Sequence, residues 1–116
     1  MKFTKRYIKK CISAKDILDY YFSFSKGDYF HCPSLMDDGE WRQVKEVKVN
    51  KYLLTKDLIE KYIAKDCIWI PTKEQLNKIL VEYNTHLKLN EEGLLDHFMG
   101  DIYKKPWDKE KEEYIK

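Results

Sequence analysis

The stretch Cys67-Ile68-Trp69-Ile70-Pro71-Thr72-Lys73-Glu74-Gln75-Leu76 constrains the fold more than any other part of this chain. Cys67 to Ile70 are consecutive apolar residues with no polar face, so they read as a strand that is central or covered on both sides. Pro71 restricts Ile70 to an extended conformation. Thr72 and Gln75 match the T-x-x-Q capping box, in which each side chain satisfies the other's backbone N–H at a helix start. Leu76, Ile79, Leu80 and Tyr83 then fall on one helical stripe. A buried strand must therefore turn sharply into a capped helix.

The other segments supply the cover. Residues 2–12 alternate at helical period, with Phe3, Tyr7, Ile8, Cys11 and Ile12 on one face and Lys2, Lys5, Arg6, Lys9 and Lys10 on the other. Ser13 offers an N-cap to a second helix, with Asp16 in its first turn, and that helix would turn Ile17, Tyr20, Tyr21 and Phe24 inward. Tyr29 to Cys32 reads as a short strand closed by Pro33, and Asp37-Asp38-Gly39 marks the loop that follows. Val44, Val47 and Val49 suggest one or two strands within residues 41–54. Thr55 would cap a short helix carrying Leu58, Ile59, Tyr62 and Ile63. Asn90 would cap a last helix with Leu94, Leu95, Phe98, Met99, Ile102 and Tyr103 inward, ended by Pro106. The tail from Trp107 is charged, with Trp107 packing back on the body.

The signals do not alternate as βαβα, so a doubly wound sheet is not expected. The expected class is helix-rich α+β. Segments near 29–32, 43–53 and 67–70 would form a small mixed three- to four-stranded sheet, packed by four or five helices. The chain has 116 residues, enough for one domain spanning 1–116. Its four glycines and three prolines argue against a turn-rich all-β sandwich.

Composition narrows the function classes. Charged residues make up 36% of the chain, yet the net charge is only +2, too balanced to argue for nucleic acid alone. Cys11, Cys32 and Cys67 are odd in number and widely spaced, without C-x-x-C or Cys/His ligand spacing. Neither a zinc site nor a disulfide framework is indicated, and reduced thiols are the simpler expectation. No apolar run follows the basic start and no segment approaches a membrane span, so neither a secretory leader nor a membrane partner is expected.

Catalytic patterns are sparse. No two glycines lie close enough for a phosphate-cradling loop. His31 adjoins Cys32, but neighbouring strand residues point to opposite faces, which denies a thiolate its base. Asp96-His97 meets the same obstacle on a helix. Glu91-Glu92 and Glu112-Glu113 suit solvated acids at a helix start and in a charged tail. Asp37-Asp38-Gly39-Glu40 lacks the spacing of a calcium loop and reads as a solvent-exposed turn. We therefore expect no enzyme, no metal and no cofactor.

Two binding features remain. Lys2, Lys5, Arg6, Lys9 and Lys10, with Lys15, precede the first acid, Asp16, and could form an electrostatic footprint for phosphates or an acidic partner. The alternative is a solvated helix face. Trp41 beside Arg42, together with Trp107, has the composition of a protein-binding hot spot. Tyr29, Phe30 and Trp41 could instead line a small-ligand pocket.

The ordered motifs also carry a resemblance. Ile68-Trp69-Ile70-Pro71 followed by Gln75-Leu76 is similar to the W-(L/I)-P-x-x-x-Q-L signature of a family of small proteins encoded in tailed-phage and prophage genomes. Phe3-Thr4-Lys5 with Tyr7-Ile8-Lys9 and Cys11 resembles that family's opening helix. Gly27-Asp28-Tyr29-Phe30 matches its G-D-(W/Y)-(F/Y) strand start, and Tyr103-Lys104 with Trp107-Asp108 is similar to its closing Y-x-K-x-W-D. Thr72 and Glu74 stand where the family carries arginine and aspartate, and the segment before the last helix is shorter. The resemblance spans nearly the whole chain. It implies a phage or prophage origin and a setting in the host cytoplasm, and it implies no catalytic residues. The expectation is a non-enzymatic accessory protein that binds a host or defence protein. The alternatives are a nucleic-acid-associated protein using the basic N-terminal helix and a small-ligand-binding or sequestering protein.

Overall fold

A computed structural model describes residues 2–22, 26–34, 36–44 and 67–115. The expected helix from Thr55, most of the expected strand over 43–53, and Phe24 lie outside the described residues. The elements run α1 (Lys5–Ser13), α2 (Lys15–Leu18), β1 (Tyr29–His31), β2 (Arg42–Gln43), β3 (Ile68–Ile70), α3 (Lys73–Val81), α4 (Glu91–His97), β4 (Trp107–Asp108) and β5 (Glu113–Tyr114). Helix α4 continues directly into a π-helical stretch, Phe98–Ile102. The class is α+β with a small three-stranded sheet.

The sheet order is β2-β1-β3, and its pairings are antiparallel rather than mixed. Strand β3 is buried at every position, as a strand without a polar face requires. Helices α1 and α2 cover it, and α1 also packs against α4 and β5. The main core joins Tyr7, Ile8, Cys11, Leu18, Ile70, Leu76, Leu80, Leu94, Leu95, Phe98 and Tyr114. A smaller cluster joins Phe30, Cys32, Val44 and Cys67, with Met36 against it.

The strand-to-helix turn forms as its residues dictate. Thr72 Oγ1 accepts the Gln75 N–H at 3.2 Å, and Gln75 Oε1 accepts the Thr72 N–H at 2.8 Å. Gln75 then uses its amide Nε2 to donate to Asp28 Oδ1 at 2.7 Å, which fixes the cap to the entrance of β1. The Tyr7 hydroxyl donates to the Pro71 carbonyl at 2.5 Å and pins α1 to the same turn. Thr72→Ala removes one limb of the box and is expected to lower stability by about 1 kcal/mol. An unfolding midpoint unchanged from the parent would contradict this.

Two local expectations are corrected. Ser13 does not cap α2. Its hydroxyl accepts the Tyr114 backbone N–H at 2.6 Å, and α2 starts from Ala14 without a side-chain cap. Helix α2 is correspondingly short, and Tyr20 follows it at 86% exposure instead of facing the core. The charged tail is also more than a tail. Trp107 pairs with Tyr114 in a two-stranded ribbon, their rings edge to face at 5.0 Å. Asp108 Oδ1 accepts the backbone N–H groups of Glu110 and Lys111 and so closes the turn between the strands.

Candidate functional site

The basic face is not an open cationic surface. Lys10 is only 2% exposed. Its Nζ lies 2.5 Å from Asp96 Oδ2 and 3.0 Å from Glu92 Oε1, and 5.0 Å from the centre of the Trp107 ring. The Tyr114 hydroxyl donates to the other Asp96 oxygen at 2.7 Å. Arg6 pairs with Glu92 at 2.7 Å, and Lys9 lies 3.9 Å from Glu112. Helix α4 and the C-terminal ribbon thus meet most of the positive charge of α1 with carboxylates. Sequence period alone placed Lys10 on the solvent side, but α4 and the ribbon close over it.

Lys2 and Lys5 remain exposed. The Lys5 stem lies against Gly39, where φ is +79° and an added Cβ would collide with it. The Asp38-Gly39 turn therefore rests on α1. Between this turn and Glu112 runs an open groove of about 640 Å³, lined by Lys5, Arg6, Lys9 and Ile12 among others. Its charges are of both signs.

The tryptophans do not gather on one exposed surface. Trp41 is half-buried, edge to face with Phe3 and Tyr29 at 5.3 Å each. Phe30 is buried in the small cluster. Tyr29, Phe30 and Trp41, offered by the sequence as an alternative ligand-binding set, are thus engaged in packing. Arg42 donates to the Trp41 carbonyl at 3.0 Å and lies 3.8 Å from Glu40. Trp107 contacts a different part of the molecule, against Lys10 and Tyr114.

The buried titratable groups serve the core. Burial raises the Tyr7 phenol well above its ordinary value, with neighbouring Cys11 adding to the effect. The Tyr114 phenol is raised by burial and by its bond to Asp96. Burial also pushes the Cys11 and Cys67 thiols up. His31 is buried, and its Nδ1 meets the Glu40 carbonyl at 2.6 Å.

A surface that sequence reasoning missed lies where α2, α3 and the π-helical stretch meet. The Tyr21 hydroxyl shares hydrogen bonds with Tyr83 at 2.8 Å and with Tyr103 at 2.6 Å. All three rings stand edge-on around the buried Phe98, at 5.5, 6.3 and 5.0 Å. Burial raises the Tyr103 phenol, and nearby Tyr83 and Tyr20 reinforce the shift. Tyr83 is 42% exposed, and Val81 at the end of α3 is also exposed. Each hydroxyl has one proton, so three hydroxyls joined by two bonds keep one donor for an outside acceptor. The cluster joins three tyrosines from three separate segments, and no local period announces it.

Comparison with protein-family models, curated proteins and solved structures returns no match. Among the described residues no helix is long and apolar enough to cross a membrane.

Proposed function

We propose that this chain is a non-enzymatic accessory protein of a tailed phage or prophage, acting in the host cytoplasm by binding a host or defence protein. The observation that carries the reading is the tyrosine surface of Tyr20, Tyr21, Tyr83 and Tyr103. Tyrosine is enriched at protein interfaces because it offers a broad, stiff apolar face with a hydrogen-bonding tip. Here the rings of Tyr21, Tyr83 and Tyr103 are held in place from below by Phe98, so little of their side-chain entropy remains to be lost on binding.

The test is capture from host lysate with the parent chain, followed by affinity measurement on the captured protein. Tyr20→Ala combined with Tyr83→Ala is expected to weaken that affinity by about 30-fold or more, as loss of a hot spot worth ~2 kcal/mol does. Lys5→Glu is expected to leave it nearly unchanged. Undiminished affinity in the tyrosine variant, with an intact circular dichroism spectrum, refutes the reading. The nucleic-acid alternative would appear as DNA or RNA binding that falls steeply with salt and is abolished by Lys5→Glu. The carboxylates paired with Arg6, Lys9 and Lys10 weigh against it.

A further inference from the structure

The antiparallel register of β1 and β3 pairs Tyr29 with Ile70, Phe30 with Trp69 and His31 with Ile68. One step further, Cys32 stands opposite Cys67. The kind of pair follows from the backbone. The Val44 N–H bonds the Asp28 carbonyl at 2.8 Å, so Asp28 turns its backbone polar groups toward β2. Backbone direction alternates along a strand, so Phe30 and Cys32 also turn toward β2, while Tyr29 and His31 turn toward β3. Cys32 and Cys67 are therefore a non-hydrogen-bonded pair, the kind whose Cα atoms come within roughly 4.5 Å. That spacing falls inside the roughly 4.4–6.8 Å that a disulfide spans. Both thiols belong to the small cluster with Phe30 and Val44. Cys11 is placed differently, in α1 beside Tyr7.

We propose that Cys32 and Cys67 form a redox-responsive latch, a dithiol that closes to a disulfide between β1 and β3 when it meets a small-molecule disulfide. Cys67, the more exposed of the two, attacks one sulfur of the oxidant as its thiolate and expels the other half as a thiolate. The Cys32 thiolate then attacks Cys67 Sγ, forming the Cys32–Cys67 bond and expelling the second half. The two protons lost from the cysteines end on the two expelled thiols. The protein dithiol is oxidised and the small disulfide is reduced. Burial of both thiols makes the reaction slow, so the latch reports a sustained oxidising condition rather than a brief one. Once closed, it joins the two strands where the chain leaves β1 and returns to β3, and it restricts the unfolded chain.

The test is prolonged incubation of the folded full chain with oxidised glutathione, acid quench, and thiol counting in denaturant with peptide mapping. Free thiols are expected to fall from three to one, with a peptide linked through Cys32 and Cys67. The unfolding midpoint is expected to rise by several degrees and to return on adding dithiothreitol. Cys11→Ser should keep this response, and Cys32→Ser or Cys67→Ser should lose it. Three thiols remaining, a linkage through Cys11, or glutathione retained on Cys67 overturns the proposal. If the Cys32 or Cys67 variants do not fold, mapping of the parent chain before and after dithiothreitol decides it alone.

Discussion

Replacing Phe98 with alanine is expected to lower stability by about 4 kcal/mol, the usual cost of emptying a buried phenylalanine site. Phe98 has no exposed surface, and its ring supports Tyr21, Tyr83 and Tyr103 together. Each edge-on contact adds about 0.5–1.5 kcal/mol beyond the area it buries. The residue also starts the π-helical stretch, whose wider turn presents Phe98 and Met99 to the core. Collapse of the three rings into the vacated space would disorder the proposed binding surface, so affinity for the partner should fall even where the variant is still folded. Phe98→Leu keeps most of the volume and should cost less than ~1.5 kcal/mol if its neighbours repack. Urea unfolding of both variants, read beside partner affinity, gives the comparison. A loss below ~1 kcal/mol for Phe98→Ala would mean that the rings do not depend on it.

Lys10→Ala is expected to cost about 2–3 kcal/mol, far more than the same change at Lys9. Burying an ammonium group is costly, and here Asp96, Glu92 and the Trp107 face offset that cost together. Removing the cation leaves Asp96 without its ammonium partner, while Glu92 keeps Arg6 at 2.7 Å. Breaking a fully buried pair costs about 3–5 kcal/mol. The value expected here is lower because the side chains of Glu92 and Asp96 keep 28% and 38% exposure, and water screens part of their repulsion. Lys10→Met retains the aliphatic stem against Trp107 and should fall between the alanine variant and the parent. Lys9, more than half exposed and 3.9 Å from Glu112, serves as the surface control. Equal losses at the two positions, measured by urea unfolding, would contradict the buried network.

The contrast between these two lysines shows what the sequence could reveal. Thr72 and Gln75 were legible because a capping box closes within one turn, and the residues that form it are adjacent in the chain. Asn90 was legible for the same reason, and its side chain accepts the Gly93 N–H at 2.8 Å. The fate of Lys10 and of Ser13 was not legible, because each is decided by a residue far along the chain. Ser13 has every local property of a cap, yet Tyr114 takes its hydroxyl from 101 residues away. The ribbon strands β4 and β5 are too short to show any alternation, and the charges between them mask the Trp107–Tyr114 pair. The tyrosine surface failed for a related reason, since only the packing of α2, α3 and the π-helical stretch brings its members together. The one usable signal was the excess of tyrosine, nine in the chain, more than a core of this size needs to bury.

The bond between Ser13 and Tyr114 also bears on how the chain is made. Helix α1 is synthesised before the ribbon that covers its Lys10 side, which follows about a hundred residues later, a matter of seconds at ordinary translation rates. Until then Tyr7 and Cys11 have no Tyr114 to pack against. Final closure of the core is therefore expected only after the ribbon emerges, and the nascent chain presents an amphipathic helix to whatever it meets first.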